Sequence, residues 1–513
     1  MKVLLLMPES IYDSWPISSD IIGRVVGFPA STFPQLAGSI PGHDIRVYDG
    51  LVQRTTTAHY VNLLRWADVI GINAVSSLGT LNTLVSIRLA KKVNPNVRIV
   101  LGGHHATFYN REWLREGVDF IVRREGERTL PELLEAIDHE APPRNVKGIS
   151  FIEDGHLRES PDRPLVRDLD SISLPRWDIM DLRLYNLNLR RRGFTASLET
   201  SRGCMHKCSF CCASSMWKSK QRFKSAERVL EELRILNRMG VTQAAIVDDN
   251  FGANKERDKM ILEGIIREKI DIRFWSFLRT DTILLNPDFI GLAGRAGLKE
   301  VVVGFETMDK ALLRNYKKGL KDGFSTSDYS LVREILRKNG IFVCGSFVAG
   351  HPQDSHGSST IPELAYKVCD FLLPIPFLPM KGIHGYGALR KRFKLRNVFS
   401  HHRFLPVFEG DKKTNRLWGY IFGINAFFQV FRLLSSRDWV KRRFVHVLGW
   451  NLFLGAVGVS REKLLDFLYL LDPRRSPDEK ASGLTRKYLS ETFISSLVSE
   501  EAPRQRGSLH HIS

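Results

Sequence analysis

Short apolar runs closed by Gly, Asp or Pro alternate with helically spaced stretches along the first part of the chain. "KVLLLMP" (2–8), "DIRVYDG" (44–50), "ADVIGINAV" (67–75), "VRIVLGG" (97–103) and "VDFIVRR" (118–124) are short and β-branched, which predicts strands. Between them "TLNTLVSIRLAKKVNP" and "TLPELLEAID" carry the helical period. Strands alternating with helices predict a parallel, doubly wound sheet over residues 1–145, with its ligand crevice beyond the carboxyl ends of the strands. The small-residue loops "NAVSS" (73–77) and "GGHHAT" (102–107) fall there.

A stretch rich in Pro, Asp and Arg follows, and residues 146–190 are expected to be a linker. From 191 to 380 the alternation resumes. Strands are expected at "TASLET" (195–200), "QAAIVD" (243–248), "RFWSF" (273–277), "EVVVG" (300–304) and "IFVCGSFVAG" (341–350), with a sixth near 380. The intervening "SAERVLEELRILNRMG" has Ser225 to cap it, Val229, Leu233 and Leu236 on one face, and Gly240 to stop it. Too few units for an eight-fold barrel, they suit an open, partial (β/α)6 barrel with its reactive groups at the C-terminal strand ends. The rhythm is lost after 380. Residues 381–475 are expected to form a helical, apolar and basic domain, and 476–513 a flexible tail.

With 43% hydrophobic and 26% charged residues, the 513-residue chain reads neither as disordered nor as a polytopic membrane protein. Six cysteines in so long a chain are no disulfide framework, and "MKVLLLMPES" is too short for a signal-peptide core, so a cytoplasmic location is expected. The net charge is +19, and local basic clusters stand at "RRRG" (190–193), "LRKRFKLR" (389–396) and "VKRRF" (440–444). The last two lie beside apolar stretches, which suits an anionic membrane face better than a nucleic-acid groove.

Four of the six cysteines crowd into "RGCMHKCSFCC", directly after the first strand of the second series. Cys204, Cys208 and Cys211 are spaced C-x3-C-x2-C. Three thiolates on one loop can hold three irons of a four-iron cluster and leave the fourth open. A structural zinc with His206 as a fourth ligand, or inert thiols, are the competing readings.

That spacing, with Phe210 before the last cysteine, resembles the radical S-adenosylmethionine (SAM) enzymes. The resemblance implies that Cys204, Cys208 and Cys211 hold a [4Fe–4S] cluster whose open iron chelates SAM, and that Cys212 is no ligand. It extends to the strand ends "DDNF" (248–251), "RTD" (279–281), "GFE" (304–306) and "GHP" (350–352), and implies a SAM site built from Phe210, Asp248, Asp249, Asn250, Arg279, Gly304 and Glu306. The first region, with "GG-x-H-A" at Gly102–Ala106 and "R-x-G-E" at Arg124–Glu127, is similar to the cobalamin-binding class of that superfamily. It implies cobalamin on Asp49, Asn73, Ser76, Ser77, Gly102, Gly103, His105 and Glu125. The D-x-H-x-x-G axial-ligand signature is missing, and the nearest string, "DGHLRE" (154–159), lies in the linker. That absence fits a class in which cobalt usually carries no protein histidine.

Two uncharged stretches, 417–431 and 444–460, fall short of the roughly 20 residues of a spanning helix. They read as buried helices or, framed by Lys, Arg and Trp, as a peripheral membrane face. Either surrounds the site with apolar surface, so a hydrophobic small-molecule substrate is expected. The resemblance then implies a C-methyltransferase acting on an unactivated carbon, supplied by a flavodoxin- or ferredoxin-type reductant, with the hopanoid C-3 methylases as the favoured branch. A magnesium-porphyrin cyclase or tetrapyrrole methylase shares the layout. A basic RNA-binding zinc protein is the alternative from another class, although the C-terminus offers no added β-rich nucleic-acid module.

Overall fold

A computed structural model of the protein describes residues 1–8, 28–50, 52–53, 55–75, 79–185, 193–318, 325–351, 353, 367–377, 379–393 and a few positions between 489 and 498. Seven strands form the first sheet: β1 (Lys2–Met7), β2 (Asp44–Asp49), β3 (Val69–Asn73), β4 (Arg98–Gly102), β5 (Phe120–Val122), β6 (Ile149–Glu153) and β7 (His156–Glu159). Their order is β2-β1-β3-β4-β5-β6-β7, parallel through β5. The chain therefore reverses direction across the sheet between β1 and β3, which makes that crevice the ligand-binding position of a doubly wound fold. β1 reads as an unbroken apolar run because it is covered on both faces: Leu4 and Leu6 enter one core, Val3 and Leu5 the other.

The expected linker is not a plain linker. β6 and β7 form an antiparallel hairpin that extends the first sheet. Trp177, Met180, Leu182 and Tyr185 then join a core shared with Val3 and Leu5 of the first sheet and Ala196, Leu236 and Val241 of the second unit. Apolar residues scattered through a polar sequence thus weld two domains that composition alone separates.

The second sheet runs β15-β14-β13-β12-β11-β8, all parallel: β8 (Phe194–Leu198), β11 (Val241–Ile246), β12 (Arg273–Arg279), β13 (Leu298–Glu306), β14 (Phe342–Ala349) and β15 (Phe371–Pro376). A small antiparallel pair, β9 (Ser201–Arg202) and β10 (Arg222–Phe223), follows β8. The sixth barrel strand is the one expected near 380. The helix Ala226–Arg238 is capped by Ser225 as its sequence predicts.

Of the expected C-terminal domain, the structure describes the basic helix Tyr386–Arg392, and the stretches 417–431 and 444–460 lie outside the described residues. Part of the expected flexible tail is packed. Ile494 is buried, the Arg88 guanidinium donates to the Leu489 carbonyl at 2.9 Å, and Lys92 pairs with Glu491 on the helix Thr80–Val93. Among the described residues no helix is long and apolar enough to cross a membrane.

Candidate functional site

The cysteine loop leaves the C-terminal end of β8 and is held by groups the sequence places far away. Asp248, buried beyond β11, accepts from the Thr200 amide, the Thr200 hydroxyl and the Ser201 hydroxyl, each at 2.6 Å. It pins the loop, a positioning role where the resemblance implied a SAM contact. Gly203 has φ +93, and a Cβ there would lie 2.1 Å from the Lys220 carbonyl, so only glycine makes the turn into Cys204. Asp249 accepts from the Gly203 amide at 3.0 Å, its carboxyl raised to about 6 mainly by its buried surroundings.

Within the loop, the Cys211 amide donates to the Cys208 carbonyl at 3.2 Å, and the Ser209 amide donates to the Tyr316 carbonyl at 2.9 Å. Phe210 is half-buried and meets Tyr316 edge-on at 4.8 Å. Burial raises the Cys204, Cys208 and Cys211 thiols, most strongly Cys211, while the positive charges of Arg279 (at Cys204 and Cys208) and Lys318 (at Cys208) act the other way. Cys212 is pushed up to about 11 and packs against the first domain's core. Three thiols, Cys208 buried and Cys204 and Cys211 half-buried, with cations near the first two, suit a resident positive centre that keeps them as thiolates. Among the described residues no three His, Cys, Asp or Glu side chains converge as a single ion requires. Ligands to separate irons need not converge.

The other strand ends ring this loop. The Arg279 guanidinium is held by Asp281 (3.0 and 2.9 Å) and donates to the Lys318 carbonyl at 2.9 Å. The Lys318 ammonium pairs with Glu306 at 3.0 Å, and a Cβ at Gly304 would strike the Glu306 carboxylate at 2.4 Å. Glu306 itself adopts φ +68. The Asn250 side-chain oxygen is buried without a hydrogen-bond partner among the described residues, so it can accept from a ligand donor. His351 of "GHP" is packed between Tyr316 and Phe377 and kept neutral by burial, its pKa lowered to about 4.

A cavity of about 320 Å³ lies between the two sheets. From the first domain it is lined by Leu5, Asn73, Gly102, Gly103, His104, Arg124 and Glu125, at the predicted switch point between β1 and β3. Ser197, Glu199, Arg202, Met216 and Trp217 close it from the second. Gly103 has φ +96, and a Cβ there would come within 2.7 Å of the Ala74 carbonyl. Backbone is thus brought to the cavity edge, as the cradle of a large planar group demands.

Two expected cobalamin contacts are corrected. His105 is buried in the domain core, accepting from the Trp113 indole at 3.0 Å and stacked on Tyr109; its neighbour His104 lines the cavity, since adjacent positions of the helix His104–Phe108 point differently. Asp49 is buried and taken by the Tyr185 hydroxyl at 2.6 Å. Ser76 and Ser77 lie outside the described residues.

The Glu125 carboxylate lines the cavity yet is saturated, by Arg202 (2.9 Å), Arg222 (2.7 Å) and the Val166 amide (2.8 Å). Arg202 also pairs with Glu127 and, at 2.8 Å, with Glu199. This buried network ties the end of the first sheet to the cysteine loop. Arg202, Lys318 and Trp217 carried no signal in the sequence, while Arg124 and His104 stood inside "R-x-G-E" and "GGHHA" with no site role assigned.

Two family models match the chain: "B12 binding domain" over residues 35–134 and "Radical SAM superfamily" over 198–358. An uncharacterized methyltransferase of Pyrococcus horikoshii is 31% identical over 363 residues, covering 69% of this chain and 75% of that protein. The anaerobic magnesium-protoporphyrin IX monomethyl ester cyclase of Synechocystis is 27% identical (68% and 70% covered), and the hopanoid C-3 methylase of Methylococcus capsulatus 28% (71% and 70%). Among solved structures, the radical SAM methyltransferase TsrM of Kitasatospora setae superposes with a TM-score of 0.61 over 77% of each chain at 17% identity, a likeness of fold.

Proposed function

We propose, since this chain belongs to the cobalamin-binding radical SAM enzymes, that it transfers a methyl group to an unactivated carbon of a hydrophobic molecule, a hopanoid or related terpenoid being the favoured substrate. The observation that carries this reading is the single cavity onto which both the switch point of the first sheet and the flank of the cysteine loop open. When bound, the cluster with SAM supplies an organic radical that abstracts hydrogen, and cobalamin supplies the methyl carrier.

The chain's own residues set the stage. Cys204, Cys208 and Cys211 hold the cluster on a loop fixed by Asp248 and Gly203. Asp249 and the Glu306–Lys318 pair offer the SAM ammonium and carboxylate groups of opposite charge, and the Asn250 oxygen offers an acceptor. Asn73, Gly102, Gly103 and His104 form the cobalamin edge. The His104 imidazole, its pKa lowered to about 4 by burial, stays neutral there. Trp217 and Met216 cover the cavity's far side and exclude water. A flavodoxin- or ferredoxin-type protein delivers electrons, and the basic helix Tyr386–Arg392 favours docking on an anionic membrane face, where such a lipid resides.

Anaerobically reconstituted enzyme, with iron, sulfide and cobalt quantified, is given methyl-labelled SAM and a hopanoid. Label in the lipid is the expected result; SAM consumed with no labelled lipid overturns the substrate. The cyclase relative favours a second reading, oxidative ring closure of a tetrapyrrole. There the product of a porphyrin ester gains a ring and no label.

A further inference from the structure

Val301, Val303 and Phe305 of β13 pack into the core between sheet and helices, so Glu300, Val302, Gly304 and Glu306 face the barrel lumen. The same alternation turns Gln243 of β11, Trp275 and Phe277 of β12, and Ile375 of β15 inward. Phe277 and Ile375 are 39% and 40% exposed, unusual for large apolar residues, so the lumen wall is greasy and open.

Glu300 breaks that wall. It stands beside Trp275 in the β12–β13 register and Phe342 in the β13–β14 register. Its carboxyl has no ion-pair or hydrogen-bond partner among the described residues, and burial alone pushes it up to about 7. In so apolar a wall a neutral hydroxyl can donate to the acid without bringing a second charge to be desolvated, as an ammonium would.

We propose that Glu300 is a specificity-determining residue that receives a hydroxyl of the substrate, so that the substrate is an elongated apolar molecule with a hydroxyl at the end remote from the reacting carbon. Glu300 and Glu306, which stands by the cysteine loop, are six positions apart on one strand, roughly 20 Å at about 3.3 Å per residue. The hydroxyl end therefore sits at the lumen floor while the other end reaches the radical chemistry. This rests on the methyltransferase reading for where the chemistry happens, but the contact itself is testable without turnover.

The holoenzyme is titrated calorimetrically at about pH 8, where the carboxyl is ionised, with decanol and with decyl methyl ether, which differ in the hydrogen-bond donor. Wild-type protein is expected to bind the alcohol roughly tenfold more tightly, the lower range for a bond to a charged acceptor. Glu300→Leu is expected to abolish that preference while keeping the ether's affinity, and Glu300→Gln, whose amide oxygen still accepts, to retain part of it. Unchanged iron and cobalt content verifies that the variants fold. Equal binding of the two probes, no binding of either, or a preference that survives Glu300→Leu overturns the proposal. Because no methyl transfer is read, a failed lipid assay leaves this outcome intact, and the converse holds.

Discussion

Replacing Arg202 by Met removes a guanidinium that is 5% exposed and bonds three carboxylates, Glu125, Glu127 and Glu199. Glu125 keeps Arg222 at 2.7 Å, so it stays paired. Glu127 does not: Arg202 is its ion-pair partner, and it is that cation which holds its carboxyl below the ordinary value against a burial that pushes the other way. Stranding a buried charge costs about 3–5 kcal/mol. At roughly 2–4 °C per kcal/mol for a domain of this size, the first unfolding transition should fall by about 6–20 °C. The assay is thermal unfolding of the anaerobically purified protein followed by circular dichroism, at low and high salt. Buried pairs are weakly screened, so the loss should persist in about 1 M salt. Glu199 also loses Arg202 but is the more easily neutralised, since burial already raises its carboxyl, so Arg202→Met combined with Glu127→Gln should recover about half of the loss. A shift under about 2 °C, or no recovery in the double variant, would refute a network that couples the domains through Arg202.

Alanine at Cys204, Cys208 or Cys211 should each abolish most bound iron and labile sulfide, whereas Cys212→Ala should leave both near normal; loss of iron only in the Cys212 variant means the ligands are misassigned. Gly103→Ala forces a Cβ to 2.7 Å from the Ala74 carbonyl at a φ of +96. It should cost on the order of 1–3 kcal/mol in a urea melt and lower the cobalt retained. His104→Ala should reduce bound cobalt with little change in melting, while His105→Ala, which vacates the packing against Trp113 and Tyr109, should lower the melting point first; the opposite pattern restores the sequence expectation. The raised Asp249 carboxyl contributes stability present below its unfolded value of about 3.9 and lost as pH rises through about 6. Asp249→Asn should therefore gain on the wild type between those values, and parallel stability profiles would count against it.

Much of the architecture was legible in the chain because it is written locally. The unbroken run of β1, the Ser225 cap and Gly240 stop, and the C-x3-C-x2-C loop directly after β8 are features of neighbouring residues, and steric and hydrogen-bonding rules act on them at short range. Side-chain direction and long-range pairing are different. Whether His104 or His105 meets the cavity depends on the angle at which the helix His104–Phe108 leaves Gly103. Asp248 and Asp249 are adjacent letters, yet one is buried and spent on Thr200 and Ser201 while the other is exposed and accepts from the Gly203 amide. A polar stretch became a hairpin and a shared core because β5 had an open edge and Trp177 and Tyr185 had apolar surface to cover. The lumen carboxyl of Glu300 is an ordinary strand residue in sequence; its meaning arises only when the assembled sheet buries it with no cation beside it among the described residues. Sequence alone determined the elements and the ligand spacing, since those follow from residues within one or two turns of each other. Tertiary structure decided which polar groups are already satisfied and which remain for a ligand, because hydrogen-bond saturation is a property of the assembled interior.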